Sequence, residues 1–133
     1  MTRQSADLNA PCGTCGGPGT GGFTQIAENG LLRWELGEGC DRCLVQGCDR
    51  GRGAGPADLR AELLAQHGAY RLSVPEGTRG VAKVLRDVLG LSLSEAQEAA
   101  RALRGPGYEG TCVELTLVAE LLDVAGPVST RDR

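Results

Sequence analysis

Cys12-Gly-Thr-Cys15-Gly16 and Cys40-Asp-Arg-Cys43 decide how the first third of this chain folds. Each is a Cys-x-x-Cys pair, and 24 residues separate Cys15 from Cys40. Two such pairs supply four thiolates, the number that tetrahedral zinc takes in a closed structural site. The small residues between the cysteines let backbone amides turn toward the sulfurs. Phe23-Thr-Gln-Ile-Ala and Leu31-Leu-Arg-Trp-Glu-Leu36 flank Asn29-Gly30, the strongest short-range hairpin signal. A hairpin placed there brings both cysteine pairs to one end.

Residues 10–48 thus resemble a zinc ribbon, with Cys12, Cys15, Cys40 and Cys43 as ligands of a structural Zn²⁺. Four thiolates close the coordination shell, whereas a catalytic zinc keeps an open position. No His-x-Glu run stands nearby to act on a bound water, so zinc hydrolysis is not expected. A thioredoxin-like reading of one Cys-x-x-Cys needs a strand leading into a helix, which is missing. Cys48, five residues after Cys43, reads as an idle thiol, an alternate ligand or a redox partner of the knuckles. Cys112 follows a helix N-cap and reads as a packed small residue.

Composition bounds the rest. The chain has 133 residues, room for one ordinary domain or two small ones. Its first fifty residues are rich in Gly and Cys and too poor in apolar runs to fold without a staple such as a metal. Seventeen acidic residues against fourteen basic ones give a net charge of −3. Four thiolates on one Zn²⁺ take the loaded protein to about −5, which opposes nucleic-acid binding through a broad basic surface. The N-terminus carries no signal-peptide-like run, and no apolar stretch approaches the roughly 18–20 residues that span a bilayer. A cytoplasmic protein is expected, and in that compartment paired cysteines read as metal ligands before disulfides.

The expected organisation is α+β. A zinc ribbon with a frayed N-terminal tail covers 1–52, a linker and connecting helix 53–68, and a compact strand-helix-helix-helix-strand unit 69–133. Gly47 to Pro56 reads as a glycine-rich linker. Ala57–Gln66 should be helical, with Gly68 as its left-handed stop and His67 in the last turn, where a cation suits the helix dipole. Tyr70-Arg-Leu-Ser-Val74 alternates as a strand. Val81, Val84, Leu85, Val88 and Leu89 mark one face of a helix that Gly90 ends. Ser92-x-x-Glu95 and Thr111-x-x-Glu114 are capping boxes opening two more helices, the first to about Leu103 and the second to Ala125 with Gly126 beyond. Val128 starts a closing strand.

Lys83-Val-Leu-Arg-Asp-Val-Leu-Gly-Leu-Ser-Leu-Ser-Glu-Ala-Gln97 resembles the signature of the bacterial ribosomal stalk protein's C-terminal domain. There a helix ending in a Gly-Leu-Gly-Leu turn is followed by Lys-Glu-Ala-Lys. The likeness covers about residues 69–131 and extends through Glu109-Gly110 and Ala125-Gly126. It implies the fold of that domain, which the adaptor family of the Clp protease shares. In the stalk family a basic face recruits translation GTPases. Two of the family's lysines are here Ser94 and Gln97, and the family's dimerisation helices and hinge are replaced by the ribbon. The stalk's own role is therefore not carried over.

No pair of acids, nucleophile–base arrangement or phosphate loop is legible, so no catalytic residue is expected. The leading expectation is a non-enzymatic adaptor or regulator that binds a protein partner through the first helix of the α+β unit, with Arg79, Lys83 and Arg86 at the contact. Arg42, Arg50 and Arg52, interrupted by Asp41 and Asp49, offer an alternative contact for nucleic acid in transcription or translation. Trp34 reads as core packing for the hairpin, so aromatic support for base stacking is weak. A zinc–thiolate redox sensor acting through Cys48 is the third expectation.

Overall fold

The computed structural model describes residues 1–9, 11–12, 14–40, 42–44 and 46–131. It is α+β, as the sequence predicts. Four antiparallel strands, β1 (Thr2–Leu8), β2 (Thr20–Glu28), β3 (Leu31–Gly39) and β4 (Gln46–Arg52), form a sheet in sequence order. Then follow α1 (Ala57–His67), β5 (Tyr70–Leu72), α2 (Val81–Leu89), α3 (Leu93–Arg104), β6 (Tyr108–Gly110), α4 (Cys112–Leu122) and β7 (Val128–Ser129). β5 lies between β6 and β7 in a second, smaller sheet.

The β2–β3 hairpin turns at Asn29 (φ 54°) and Gly30 (φ 75°), the positive pair that the Asn-Gly signal requires. Both capping boxes form: the Ser92 hydroxyl accepts from Glu95 N–H and the Thr111 hydroxyl from Glu114 N–H. Each glutamate reaches back to its cap's own N–H. α2 buries Val81, Leu85 and Val88 against α3 and α4, so its periodicity reads correctly.

Several expectations need correction. The expected frayed tail is a strand over Thr2–Leu8, which pairs along its whole length with β2, Thr2 opposite Ala27 and Leu8 opposite Gly21; residue 10 lies outside the described residues. The tail's polar side chains hid a period of two in which Ala6 is buried and Ser5 and Asp7 are exposed. The 47–56 stretch is not all linker. Gln46–Arg52 runs beside β3, and as an almost wholly exposed edge strand it needs no apolar alternation. β6 is an addition to the expected order. α4 stops at Leu122, where Asp123 (φ 55°, ψ 50°) takes the left-handed cap position assigned to Gly126. Gly68 has a positive φ of 82° but an extended ψ of 162°, so it ends α1 without the left-handed turn.

The sheet presents Ala6, Phe23, Gln25, Ala27, Leu32, Trp34 and Leu36 on one face, as alternation and register dictate. Leu63 of α1 joins Ala6 and Phe23 in one buried cluster, and Ala27 and Leu32 join the helical core. Trp34 packs beside Phe23 with ring centroids 6.0 Å apart. The chain leaves β4 directly over these rings. A side chain at Gly55 (φ 92°) would start 2.6 Å from Phe23 Cζ and 3.1 Å from Trp34 Cγ.

A buried polar network ties the sheet to the helices. Gln25 Nε2 of β2 donates to Glu114 Oε2 of α4 at 2.8 Å and to Ala54 O at 2.9 Å. The Thr111 hydroxyl donates to Gln25 Oε1 at 2.5 Å. Arg60 of α1 forks onto both Glu114 oxygens at 2.7 and 2.8 Å. That ion pair holds the Arg60 proton more tightly than usual. Among the described residues, no buried side-chain nitrogen or oxygen lacks a partner.

Candidate metal centre

Two matching turns build the cysteine site. In the first, Gly16 N–H donates to Cys12 O at 2.9 Å; in the second, Leu44 N–H donates to Cys40 O at 2.8 Å. The residue after each pair has positive φ, Gly16 at 70° and Leu44 at 63°. The first turn is closed further by Cys12 N–H donating to Gly17 O at 2.8 Å and by a bridge between Pro11 and Pro18. The hairpin supplies the rest: Thr20 begins β2 and Gly39 ends β3 opposite it, so both turns leave the same end of the sheet.

The four sulfurs lie within 4.8 Å of one another, as the sequence predicts for Cys12, Cys15, Cys40 and Cys43. The short approaches cross between turns: Cys12 Sγ to Cys43 Sγ and Cys15 Sγ to Cys40 Sγ, 3.6 Å each. These distances exceed the roughly 2.05 Å of a disulfide. A metal about 2.3 Å from each of four tetrahedral sulfurs sets them about 3.8 Å apart, so the donor set fits a closed tetrathiolate site. Cys40 is buried and Cys15 exposed, which puts the site at the surface with one sheltered side.

Backbone amides favour the charged thiolates. The Cys15 and Thr14 N–H groups lower the Cys12 pKa to about 6 from its ordinary 9.0, with Thr14 N 3.4 Å from the sulfur. Gly17 N–H, 3.4 Å from Cys15 Sγ, acts likewise, but the neighbouring Cys40 thiol and desolvation outweigh it and raise the Cys15 pKa. One donor is thus readily ionised at neutral pH, and the site as a whole needs a cation to hold four thiolates together.

Leu44 is out of character for its position. A left-handed non-glycine residue costs about 1 kcal/mol, and its side chain is 78 % exposed. Leu44→Gly is therefore expected to raise the urea midpoint of the metal-loaded protein, by about 1 kcal/mol in stability. An unchanged or lowered midpoint would mean that the side chain contributes packing.

The other candidates are spread over the surface. Arg50 and Arg52 share the outer face of β4, opposite Glu35 and Arg33. Arg42 sits at the knuckle end, its Cδ 2.9 Å from where a side chain on Gly17 would begin. Asp41 lies outside the described residues. The outer face carries neither Phe23 nor Trp34, so Arg50 and Arg52 have no aromatic neighbour in register. Cys48 stands exposed opposite Gly37, outside the four-sulfur set. Cys112 is half-buried with its sulfur 3.8 Å from Thr116 Oγ1. His67 Nε2 lies 2.6 Å from Ser5 O, so the histidine ties α1 to β1. Lys83 and Arg86 are exposed on α2 opposite its buried face, and Arg79 is exposed just before the helix, separated from it by left-handed Gly80. Among the described residues, none of the three makes an ion pair.

The sequence reading missed Gln25 and Arg60. Glu114 was visible only as a capping residue, and no local pattern shows that its carboxylate also faces a strand and another helix. The chain matches no protein-family model, and comparisons with curated proteins and with solved structures return no match. Among the described residues, no helix is long and apolar enough to cross a membrane.

Proposed function

We propose that this chain is a non-enzymatic adaptor, stapled by a structural Zn²⁺ on Cys12, Cys15, Cys40 and Cys43, that binds an acidic surface of a partner protein through α2. The exposed Lys83 and Arg86 of α2, with exposed Arg79 just before the helix, carry the reading. Lys83 and Arg86 are held on a helix whose opposite face is locked in the core by Val81, Leu85 and Val88, Arg79 lies just before it, and none of the three makes an ion pair among the described residues. Such an arrangement costs self-repulsion and favours an anionic surface docked over it. The likeness of Lys83–Gln97 to the ribosomal stalk signature supports a protein-binding role for the same helix. Zinc is the metal that a closed set of four thiolates selects most readily, and reduced thiols suit a cytoplasmic setting.

The zinc-loaded protein should capture a discrete partner from native cytosol at moderate salt and after nuclease treatment. Arg86→Glu, an exposed change with a fold effect of about 0.5 kcal/mol or less, should reduce that capture at least about tenfold. Undiminished capture by Arg86→Glu removes α2 from the contact. Capture abolished by nuclease transfers the role to nucleic acid.

A further inference from the structure

The four-stranded sheet has two edges, and the protein treats them differently. Along β1, the last turn of α1 occupies the outward backbone groups of Asp7 and the carbonyl of Ser5. Asp7 N–H donates to Gln66 Oε1 at 2.9 Å, and Gln66 Nε2 donates to Asp7 O at 2.8 Å, the two-point pattern of a neighbouring strand. His67 covers Ser5 O next to it. At β4 every residue from Gln46 to Arg52 is exposed except half-buried Gly51. An open edge of this kind is a template for another strand unless it is blocked.

The direction of the β4 backbone groups can be read. Gly53 N–H donates back to Leu32 O at 2.9 Å, so the odd-numbered residues face β3. Arg50 N–H is engaged instead by the side chain of Asp49, at 2.8 Å, so Arg50 points outward. By alternation the groups of Cys48 and Arg52 point outward too. The side chains of Cys48, Arg50 and Arg52 all lie on the sheet's outer face, where nothing comes within 4 Å of a side chain placed at Gly37.

Charge selects the occupant. Arg52 stands opposite Arg33 and Arg50 opposite Glu35, so Arg33, Arg50 and Arg52 share the outer face with the carboxylates of Glu28 and Glu35. Glu28 and Glu35 are committed to Arg33, at 3.5 and 2.7 Å. Among the described residues, Arg50 and Arg52 make no ion pair. We propose that β4 is a docking edge for an extended acidic peptide segment of a partner protein, which adds as a fifth strand with carboxylates beside Arg50 and Arg52. Main-chain hydrogen bonds to the outward groups of Cys48 and Arg52 and to the Arg50 carbonyl would supply the affinity and the arginines the selection. This surface is separate from the α2 cations, and the inference stands whether or not α2 binds.

The test uses the full metal-loaded chain, isotope-labelled, with three probes: a ten-residue peptide alternating Glu with Val or Thr, the same peptide with Lys for Glu, and a ten-nucleotide oligouridine. The acidic peptide should shift the Cys48, Arg50 and Arg52 amides and slow their exchange, leaving α2 unmoved. The double variant Arg50→Glu/Arg52→Glu should weaken binding at least tenfold. Cys48→Pro should abolish it, since proline removes an outward donor and spares the β3 ladder. If the proline variant misfolds, the charge variant decides alone. Equal binding of the lysine peptide, perturbations away from β4, tighter binding of oligouridine, or protection of β4 by self-association without peptide would each overturn the proposal.

Discussion

Stripping the metal, or replacing the buried ligand in Cys40→Ser, is expected to abolish the folded sheet and lower the thermal midpoint of the whole chain by more than about 15 °C. Structural zinc contributes about 10–16 kcal/mol in small tetrathiolate and related peptides, while an entire domain is stable by only about 5–15 kcal/mol. The knuckle end has little else to hold it. Among the described residues, the cluster between the sheet and α1 has Ala6, Phe23 and Leu63 as its fully buried members. Without a cation, four sulfurs as close as 3.6 Å must stay protonated or repel. The loss should not stop at the knuckles, because Phe23 and Gln25 lie on the strand that leads from the first of them and pack under α1 and α4. Circular dichroism of the chelated protein, with metal content by mass spectrometry, measures both parts. One zinc per chain is expected before chelation and none after. Cys48→Ser should keep the metal and move the midpoint by no more than about 2 °C, as a surface substitution does. An unchanged midpoint in Cys40→Ser would show that the site is not structural. Metal loss in Cys48→Ser would make Cys48 a ligand.

What could be read from sequence was whatever a few consecutive residues determine. Asn29-Gly30 dictates a turn because it supplies two positive φ angles, and that turn fixes the β2–β3 register that brings the cysteine pairs together. Ser92/Glu95 and Thr111/Glu114 open helices because each box satisfies its own amides. α2 was legible because Val81, Leu85 and Val88 recur at helical spacing. β1 and β4 were not, for opposite reasons. The inward residues of β1, Gln4 and Ala6 among them, are too polar or small to show a period, and its pairing depends on Gln66 and His67, some sixty residues away. β4 has no buried side chain, so only its backbone ladder defines it. α4 ended early because Asp123 adopted the left-handed geometry that glycine was expected to supply. The cysteine site was legible in full, since spacing alone specifies a knuckle. The network around Glu114 was not, since it joins three segments that no local pattern relates.

Glu114→Ala is expected to cost about 3–5 kcal/mol, the range for removing one partner of a buried ion pair. The Glu114 side chain is 1 % exposed and that of Arg60 31 %, so salt should recover little of the loss. The carboxylate accepts from Gln25, from both arms of Arg60 and from Thr111 N–H. Truncation orphans donors on a strand and two helices at once. Glu114→Gln keeps the shape but sets an amide donor against the Gln25 amide or the Arg60 fork, so it should recover less than half of the loss. Replacing both charges, in Arg60→Met with Glu114→Leu, should be far milder than either single change, because the cost lies in leaving one charge alone. Gln25→Ala tests the link between sheet and helices. Its coupling to Glu114→Ala should fall within about 0.5–3 kcal/mol, the range for residues in one network. Urea unfolding followed at Trp34 on the sheet and by helical dichroism should give coincident curves in the native protein. In Glu114→Ala the two probes should separate, the sheet remaining under zinc control while the helices melt first. Coincident curves and a loss below about 1 kcal/mol would reduce Glu114 to its capping role, whose usual worth is about that much.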